Sequence, residues 1–177
     1  ENVVVSLDGR PEVHDKMRPT ANNKGSFDLM YPNALKLAKS RAGKSYYIRG
    51  TFTAYNPDFA KDVLFLADAG FDQVSIEPVV APKDVEYSIK EDMVPALKDE
   101  YDVLMKEYYQ RRRDGRWFNF FHFYVDLSGG PCLPKRLVGC GAGNEYVAIT
   151  PKGDIYPCHQ FVGDDKMHMG NVHTGEF

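Results

Sequence analysis

The chain has 177 residues and a formal net charge of −3 from 22 basic and 25 acidic side chains; 43% of residues are hydrophobic and 27% charged. That length predicts roughly one domain, and the ordinary globular composition excludes disorder and collagen-like repeats. With a mean hydropathy of −0.44 and no apolar run near the roughly 20 residues of a membrane span, no membrane insertion is expected.

The opening Glu1-Asn2-Val3-Val4-Val5 reads as a strand rather than a secretory signal. A domain rarely starts inside a core strand, and the chain stops at Gly175-Glu176-Phe177 without a closing element. A piece of a longer chain is therefore expected. The first strand covers residues 3–7, and Asp8-Gly9-Arg10-Pro11 breaks it. A polar loop is expected to run to Gly25. Ser26 then caps a helix to about residue 42, with Pro32 placing its regular start and Gly43 its end. Residues 46–53 form the second strand. Asn56-Pro57-Asp58 opens a helix to Ala69, closed by Gly70, and residues 73–79 form the third strand.

Ser88 and Glu91 have the spacing of a capping box. Val94, Leu97, Tyr101, Leu104 and Tyr108 recur at helical intervals on one apolar face. The basic run at residues 111–113 reads as the solvated last turn of that helix, where cations suit the dipole. It sits beside acidic residues and offers no nucleic-acid-binding face. The aromatic stretch at residues 117–125 reads as a buried strand, not a base-stacking platform, and His122 within it as core.

Strand, helix, strand, helix, strand at this spacing implies parallel pairing through right-handed crossovers. By the period of two, Ser6 and Asp8 share one face of the first strand. Tyr47, Arg49, Thr51 and Thr53 share a face of the second, and Ser75 and Glu77 of the third. The opposite faces carry Val3, Val5 and Leu7, then Ile48 and Phe52, then Val74 and Ile76. A doubly wound sheet is apolar on both faces. One polar face in all three strands instead implies an α/β fold of partial-barrel type with a wet lumen. Ser6, Arg49, Thr51 and Glu77 are expected to point into it, with Arg49 and Glu77 as a buried ion pair or as contacts for a peptide substrate. Asp8 is expected to hold the Gly9 turn.

The composition changes at Ser128-Gly129-Gly130-Pro131, which places a boundary between a barrel part at residues 1–127 and a small part at residues 128–177. In the second part Pro151-Lys152-Gly153 turns a hairpin between residues 146–150 and 154–156. Its ends bring Cys140 and Cys158 together, and Cys132 lies just upstream. An odd set of three cysteines is not a secreted disulfide framework. It favours a reducing, cytoplasmic setting. Buried free thiols, a structural zinc with His159 as a further ligand, and an iron–sulfur cluster are the readings open to these residues. His14, His122, His159, His168 and His173 show no spacing that picks out a metal site.

Together these stretches resemble a radical S-adenosylmethionine enzyme with a C-terminal SPASM domain. Val5-Ser6-Leu7-Asp8-Gly9 with His14, Asp15 and Arg18 resembles the family's fourth barrel strand and the loop after it. Residues 46–53 and 75–80 resemble the fifth and sixth strands. Cys140, twelve residues, Gly153, four residues and Cys158 match the first half of the SPASM cysteine pattern, with Cys132 in the place of the upstream ligand. The run GCGAGNEYVAITPKGDIYPCHQFVG is closely similar to maturases of six-cysteine (SCIFF) peptides.

The resemblance implies a partial (β/α)6 barrel, S-adenosylmethionine and [4Fe-4S] clusters. It also implies sulfur-to-α-carbon thioether formation in a Cys-rich precursor peptide, with a low-potential electron donor. It assigns Ser6 and Arg18 to the S-adenosylmethionine carboxylate and Val80 to the adenine, plain core being the other reading of Val80. It assigns Cys132, Cys140 and Cys158 to an auxiliary cluster. The CxxxCxxC loop, the glycine-rich stretch that meets the methionine amine and the later SPASM cysteines do not occur in this chain, so the chain alone is expected to be inactive. A sulfatase-maturing enzyme of the same superfamily is the sister reading. A zinc-stabilised binding module without redox chemistry is the alternative of a different class.

Overall fold

The computed structural model describes residues 3–41, 44–124 and 140–175. The chain divides into two compact units, Glu1–Val125 and Asp126–Phe177. The composition break at residues 128–131, Gly43 and Cys132 fall outside the described residues.

The first unit is built on a parallel sheet of β1 (Val3–Ser6), β2 (Tyr46–Phe52), β3 (Gln73–Pro78) and β4 (Asn119–Phe120), in that spatial order. Each strand lies beside the next one in sequence, so the winding never reverses as it does in a doubly wound sheet. The helices between them are α1 (Pro11–Met17), α2 (Phe27–Ser40), α3 (Phe59–Asp68) and α4 (Val94–Arg113). Leu7, Ile48, Val74 and Ile76 are fully buried and form one core with Phe59, Val63, Leu66 and Leu104 of the helices. The other sheet face is open: Val4, Ser6 and Arg49 are exposed, and Tyr47, Thr51 and Glu77 are half-buried. One apolar face under helices and one more polar, open face are what the alternation along β1 to β3 demands.

Several local expectations give way to tertiary packing. The polar segment after β1 contains α1, which starts at Pro11 with Glu12 in its first turn. Helix α2 begins at Phe27, five residues before Pro32, and keeps the proline inside. Burial of Phe27 and its stacking on Tyr31, centroids 5.0 Å apart, hold the first turn despite the missing amide hydrogen. Ser26 makes no side-chain cap. Asp15 Oδ1 accepts from the Ser26 and Phe27 amides at 2.8 and 2.7 Å instead, so α1 caps α2. Ser88 is buried and forms no capping box; a single 3-10 turn at Glu91–Met93 leads into α4, with Pro95 in its first turn.

On α4, Leu97 and Leu104 are buried and Tyr101 and Tyr108 pack on the core, whereas Val94 is exposed. The end of α4 is not simply solvated. Arg111 is 7% exposed and grips both Asp68 oxygens at 2.6 and 3.1 Å while its Nε donates to Glu107 at 2.8 Å. The aromatic stretch is a strand for two residues only. Phe118 and Phe120 are buried, but Trp117, Phe121 and Tyr124 are exposed. His122 is half-buried and bonded to the Tyr101 hydroxyl through Nδ1 at 2.8 Å.

The second unit is a three-stranded antiparallel sheet of β5 (Ala148–Ile149), β6 (Asp154–Tyr156) and β7 (Gly170–Asn171). The β5–β6 hairpin turns at Gly153, whose φ of 88° is in the left-handed region. A Cβ there would overlap the His173 ring.

Candidate functional site

On the open face of the first sheet, register places Ser6 beside Arg49, Arg49 beside Ser75, and Thr51 beside Glu77. Val4, Tyr47, Arg49, Ser75, Glu77 and Phe121 line a cavity of about 190 Å³. The Arg49 guanidinium donates to Glu77 at 3.0 Å, and the Ser75 hydroxyl to the other Glu77 oxygen at 3.2 Å. The expected ion pair thus exists, but its partners are 55% and 36% exposed, not buried. A larger hollow of about 440 Å³ involves Lys39, Lys44, Asp72 and Gln73 at the N-terminal ends of β2 and β3. Size does not decide between them, because sites on parallel barrels are built at strand C-termini.

At those C-termini the chain after β1 is tied down hard. Asp8 is 1% exposed. Its carboxylate accepts from Arg18 Nε at 2.6 Å, Arg18 Nη2 at 3.0 Å and the Thr51 amide at 3.0 Å. Asp8 therefore links the loop, α1 and β2. The Asp8 amide donates to His14 Nδ1 at 3.3 Å, which leaves the Nε2 proton for the Ser26 hydroxyl at 3.0 Å. Burial holds the His14 imidazole below its ordinary pKa, and Asp8 opposes this. Arg10, at the mouth of α1, holds Asp58 and the fully buried Asp62 through bonds of 2.8–3.3 Å.

Ser6 is exposed at the C-terminal end of β1 on the open face. Arg18 turns its Nε–Nη2 edge to Asp8. Val80 is 74% exposed just past β3, so it is not core. An apolar side chain held outside the core at that end is available for a flat ligand.

In the second unit Cys140 is exposed and Cys158 buried, and neither is in a disulfide. The two ends of the hairpin are joined through the backbone. Ala142 bridges Tyr146, and the Gly143 amide donates to the carbonyls of Tyr146 and Pro157, each at 2.9 Å. The Tyr146 hydroxyl donates to Cys140 Sγ at 3.7 Å. A hydrogen bond from the Ala142 backbone and then this hydroxyl hold the Cys140 thiol below its ordinary range. The phenol is raised, first by its bond to Cys140, and the charges of both Cys140 and Cys158 act on it. Donors aimed at an exposed sulfur suit a thiolate that ligates a metal centre. Among the described residues no three His, Cys, Asp or Glu side chains form a metal-binding group, and Cys132 is not among them.

Sequence reasoning did not single out Tyr146. Its signal was available: it stands on the strand arm between Cys140 and the turn. The Arg10–Asp58–Asp62 network had none, because Arg10 lies 48 and 52 residues from Asp58 and Asp62 and only the fold brings them together.

The first unit is a singly wound parallel sheet with a polar open face, and the second is a small hairpin unit that carries Cys140 and Cys158. Residues 140–177 match the SPASM family, an iron-sulfur cluster-binding domain. The chain is similar to the cysteine-type anaerobic sulfatase-maturating enzyme of Clostridium novyi (strain NT), 27% identical over 179 aligned positions and 92% of this chain. Its fold is that of anSMEcpe with bound AdoMet: TM-score 0.69, 20% identity, 99% of this chain and 46% of that one. anSMEcpe with bound AdoMet and Kp18Cys peptide is also similar, with a TM-score of 0.65, 20% identity and 97% and 48% coverage. The chain spans 44% of the Clostridium novyi relative's length.

Proposed function

We propose that this chain is the latter part of the barrel and the beginning of the SPASM domain of a radical S-adenosylmethionine enzyme that modifies a peptide. The observation that carries this reading is the coincidence of the Cys140–Cys158 hairpin with the SPASM match at residues 140–177, after a singly wound sheet with one polar face. In this reading Ser6 binds the S-adenosylmethionine carboxylate, Arg18 supplies guanidinium hydrogens from the edge not turned to Asp8, and Val80 lies against the adenine. Cys132, Cys140 and Cys158 hold an auxiliary [4Fe-4S] cluster. When bound, the cofactor and its cluster supply the radical chemistry. The chain's own residues position the reactants: the Arg49–Glu77–Ser75 group offers both signs of charge to a peptide on the open face. The substrate is a Cys-rich precursor peptide in which sulfur becomes bonded to an α-carbon, with electrons from a low-potential donor in the cytoplasm.

A second reading is favoured by the similarity to the cysteine-type sulfatase-maturating enzyme: modification of one Cys in a protein substrate. Full-length, anaerobically reconstituted protein incubated with S-adenosylmethionine and each peptide type separates the two. Tandem mass spectrometry of a Cys-rich precursor should show a sulfur-to-carbon link between two residues. A single altered cysteine and no link would establish the second reading. If neither peptide changes and the protein holds one zinc and no sulfide, the binding-module alternative replaces both.

Ser6→Ala and Arg18→Ala in the full-length protein should both weaken S-adenosylmethionine binding. Loss of a charge-assisted hydrogen bond costs about 1.5–3 kcal/mol, which is roughly 10- to 100-fold for Arg18. Equal affinity in both variants, measured by calorimetry, would show that the carboxylate site is misplaced.

A further inference from the structure

We infer that Tyr146 tunes the electron affinity of the metal centre that Cys140 ligates. The inference rests on the auxiliary-cluster reading above and adds a role for a residue that does not itself ligate. Three observations support it. The Tyr146 hydroxyl donates to Cys140 Sγ at 3.7 Å, within the range for a sulfur acceptor. The backbone fixes that approach, because Tyr146 is bridged to Ala142 and its carbonyl accepts from Gly143 at 2.9 Å. Tyr146 is 47% exposed, too open for its ring to be explained by core packing.

The physical consequence has a definite sign. A hydrogen bond to a cluster thiolate withdraws electron density from sulfur and stabilises the more negative, reduced cluster; hydrogen bonds to sulfur are one of the protein's levers on cluster potential. In a redox titration one electron passes from the titrant to the cluster, and no bond forms or breaks. With the hydroxyl present the reduced state is favoured, and without it the potential falls. Tyr146 is a positioning and tuning residue, not a catalytic one.

The test uses the full-length protein, reconstituted with iron and sulfide. Tyr146→Phe keeps the ring and removes only the donor. The expected result is unchanged iron and sulfide content, a lower midpoint potential for one cluster in an EPR-monitored titration, and a shifted iron–thiolate stretch in resonance Raman. An unchanged potential and Raman spectrum, with the full metal content retained, overturns the tuning role and leaves the cluster assignment standing. Cys140→Ala separates the two ideas. If that variant keeps the full iron and sulfide content, Cys140 is not a ligand, and both the cluster reading and the inference fall. Loss of one cluster's iron in Tyr146→Phe itself would also overturn the inference, because the residue would then be needed for assembly rather than tuning.

Discussion

Two residues in the segment after β1, His14 of α1 and Gly9 before it, show how much of this molecule is decided at single positions. His14 is 1% exposed, with its ring edge-on to Phe27 at 5.8 Å between centroids. Burial, more than any charge, lowers its folded-state pKa from 6.5. The unfolded chain therefore takes up the proton first as pH falls. The contribution of neutral His14 to stability is complete above about 6.5 and is lost as pH drops through the folded-state value. Urea midpoints of the full-length protein measured from about pH 7.5 to 5.5 should fall more steeply than those of His14→Gln, which cannot titrate there. Parallel slopes would refute this. Gly9 has φ 128° and sits where a Cβ would overlap the buried Asp62 side chain. Left-handed strain and overpacking each cost on the order of 1–3 kcal/mol. Gly9→Ala should thus destabilise by roughly 2–6 kcal/mol in equilibrium unfolding, and a change within about 0.5 kcal/mol would contradict the packing described.

At the scale of elements, α2 carries a conflict between its own sequence and its surroundings. Pro32 leaves the Asp28 carbonyl without its helical donor, yet the helix extends back to Phe27 because Phe27 and Ala34 are buried and Asp15 caps the first turn. Restoring the amide with Pro32→Ala should stabilise the protein by roughly 1–2 kcal/mol. The interior penalty of proline is about 3 kcal/mol, less the chain entropy that proline removes from the unfolded state. A variant no more stable than the parent would mean that the proline ring contributes packing of its own. At the C-terminus of α4, the two-oxygen grip of Arg111 on Asp68 joins α4 to α3. Arg111 holds the Asp68 carboxyl below the usual carboxylate range. That link is present above about pH 4 and weakens as acid protonates Asp68.

At the scale of the whole molecule, the two units are stabilised unequally. The first has a core of large buried side chains, including Phe52, Phe59, Phe71, Phe118, Phe120 and Leu104. Among the described residues of the second, Ile155, Tyr156 and Cys158 are the buried apolar ones. In the proposed cluster-binding reading, metal-binding free energy contributes to the folding free energy of this unit. Removing iron from the full-length protein with a chelator should speed amide exchange in β5, β6 and β7 while β2 and β3 keep their protection. Unchanged exchange in the second unit would show that its fold does not depend on a metal.

Periodicity alone determined most of the architecture. Alternation at Tyr47, Arg49, Thr51 and at Ser75, Glu77 identified which sheet face is polar, because strand side chains alternate by geometry whatever packs against them. Glycine at position 153 with its flanking strand residues was enough to place the hairpin between Cys140 and Cys158, because a left-handed turn residue is a local requirement. Tertiary structure decided the rest. Helix α1 was hidden in a short polar segment whose seven residues have little helical stability of their own and rely on His14 and Asp15 reaching neighbouring elements. Arg111 looked like a solvated cation until Asp68, 43 residues away, met it across the α3–α4 contact. Val80 could not be told from core by its chemistry, since exposure depends on where the strand ends relative to the helices. Tyr146 stood on the arm between Cys140 and the turn, but only the folded hairpin brought its hydroxyl to the sulfur, because a hydrogen bond to sulfur is set by distance in space.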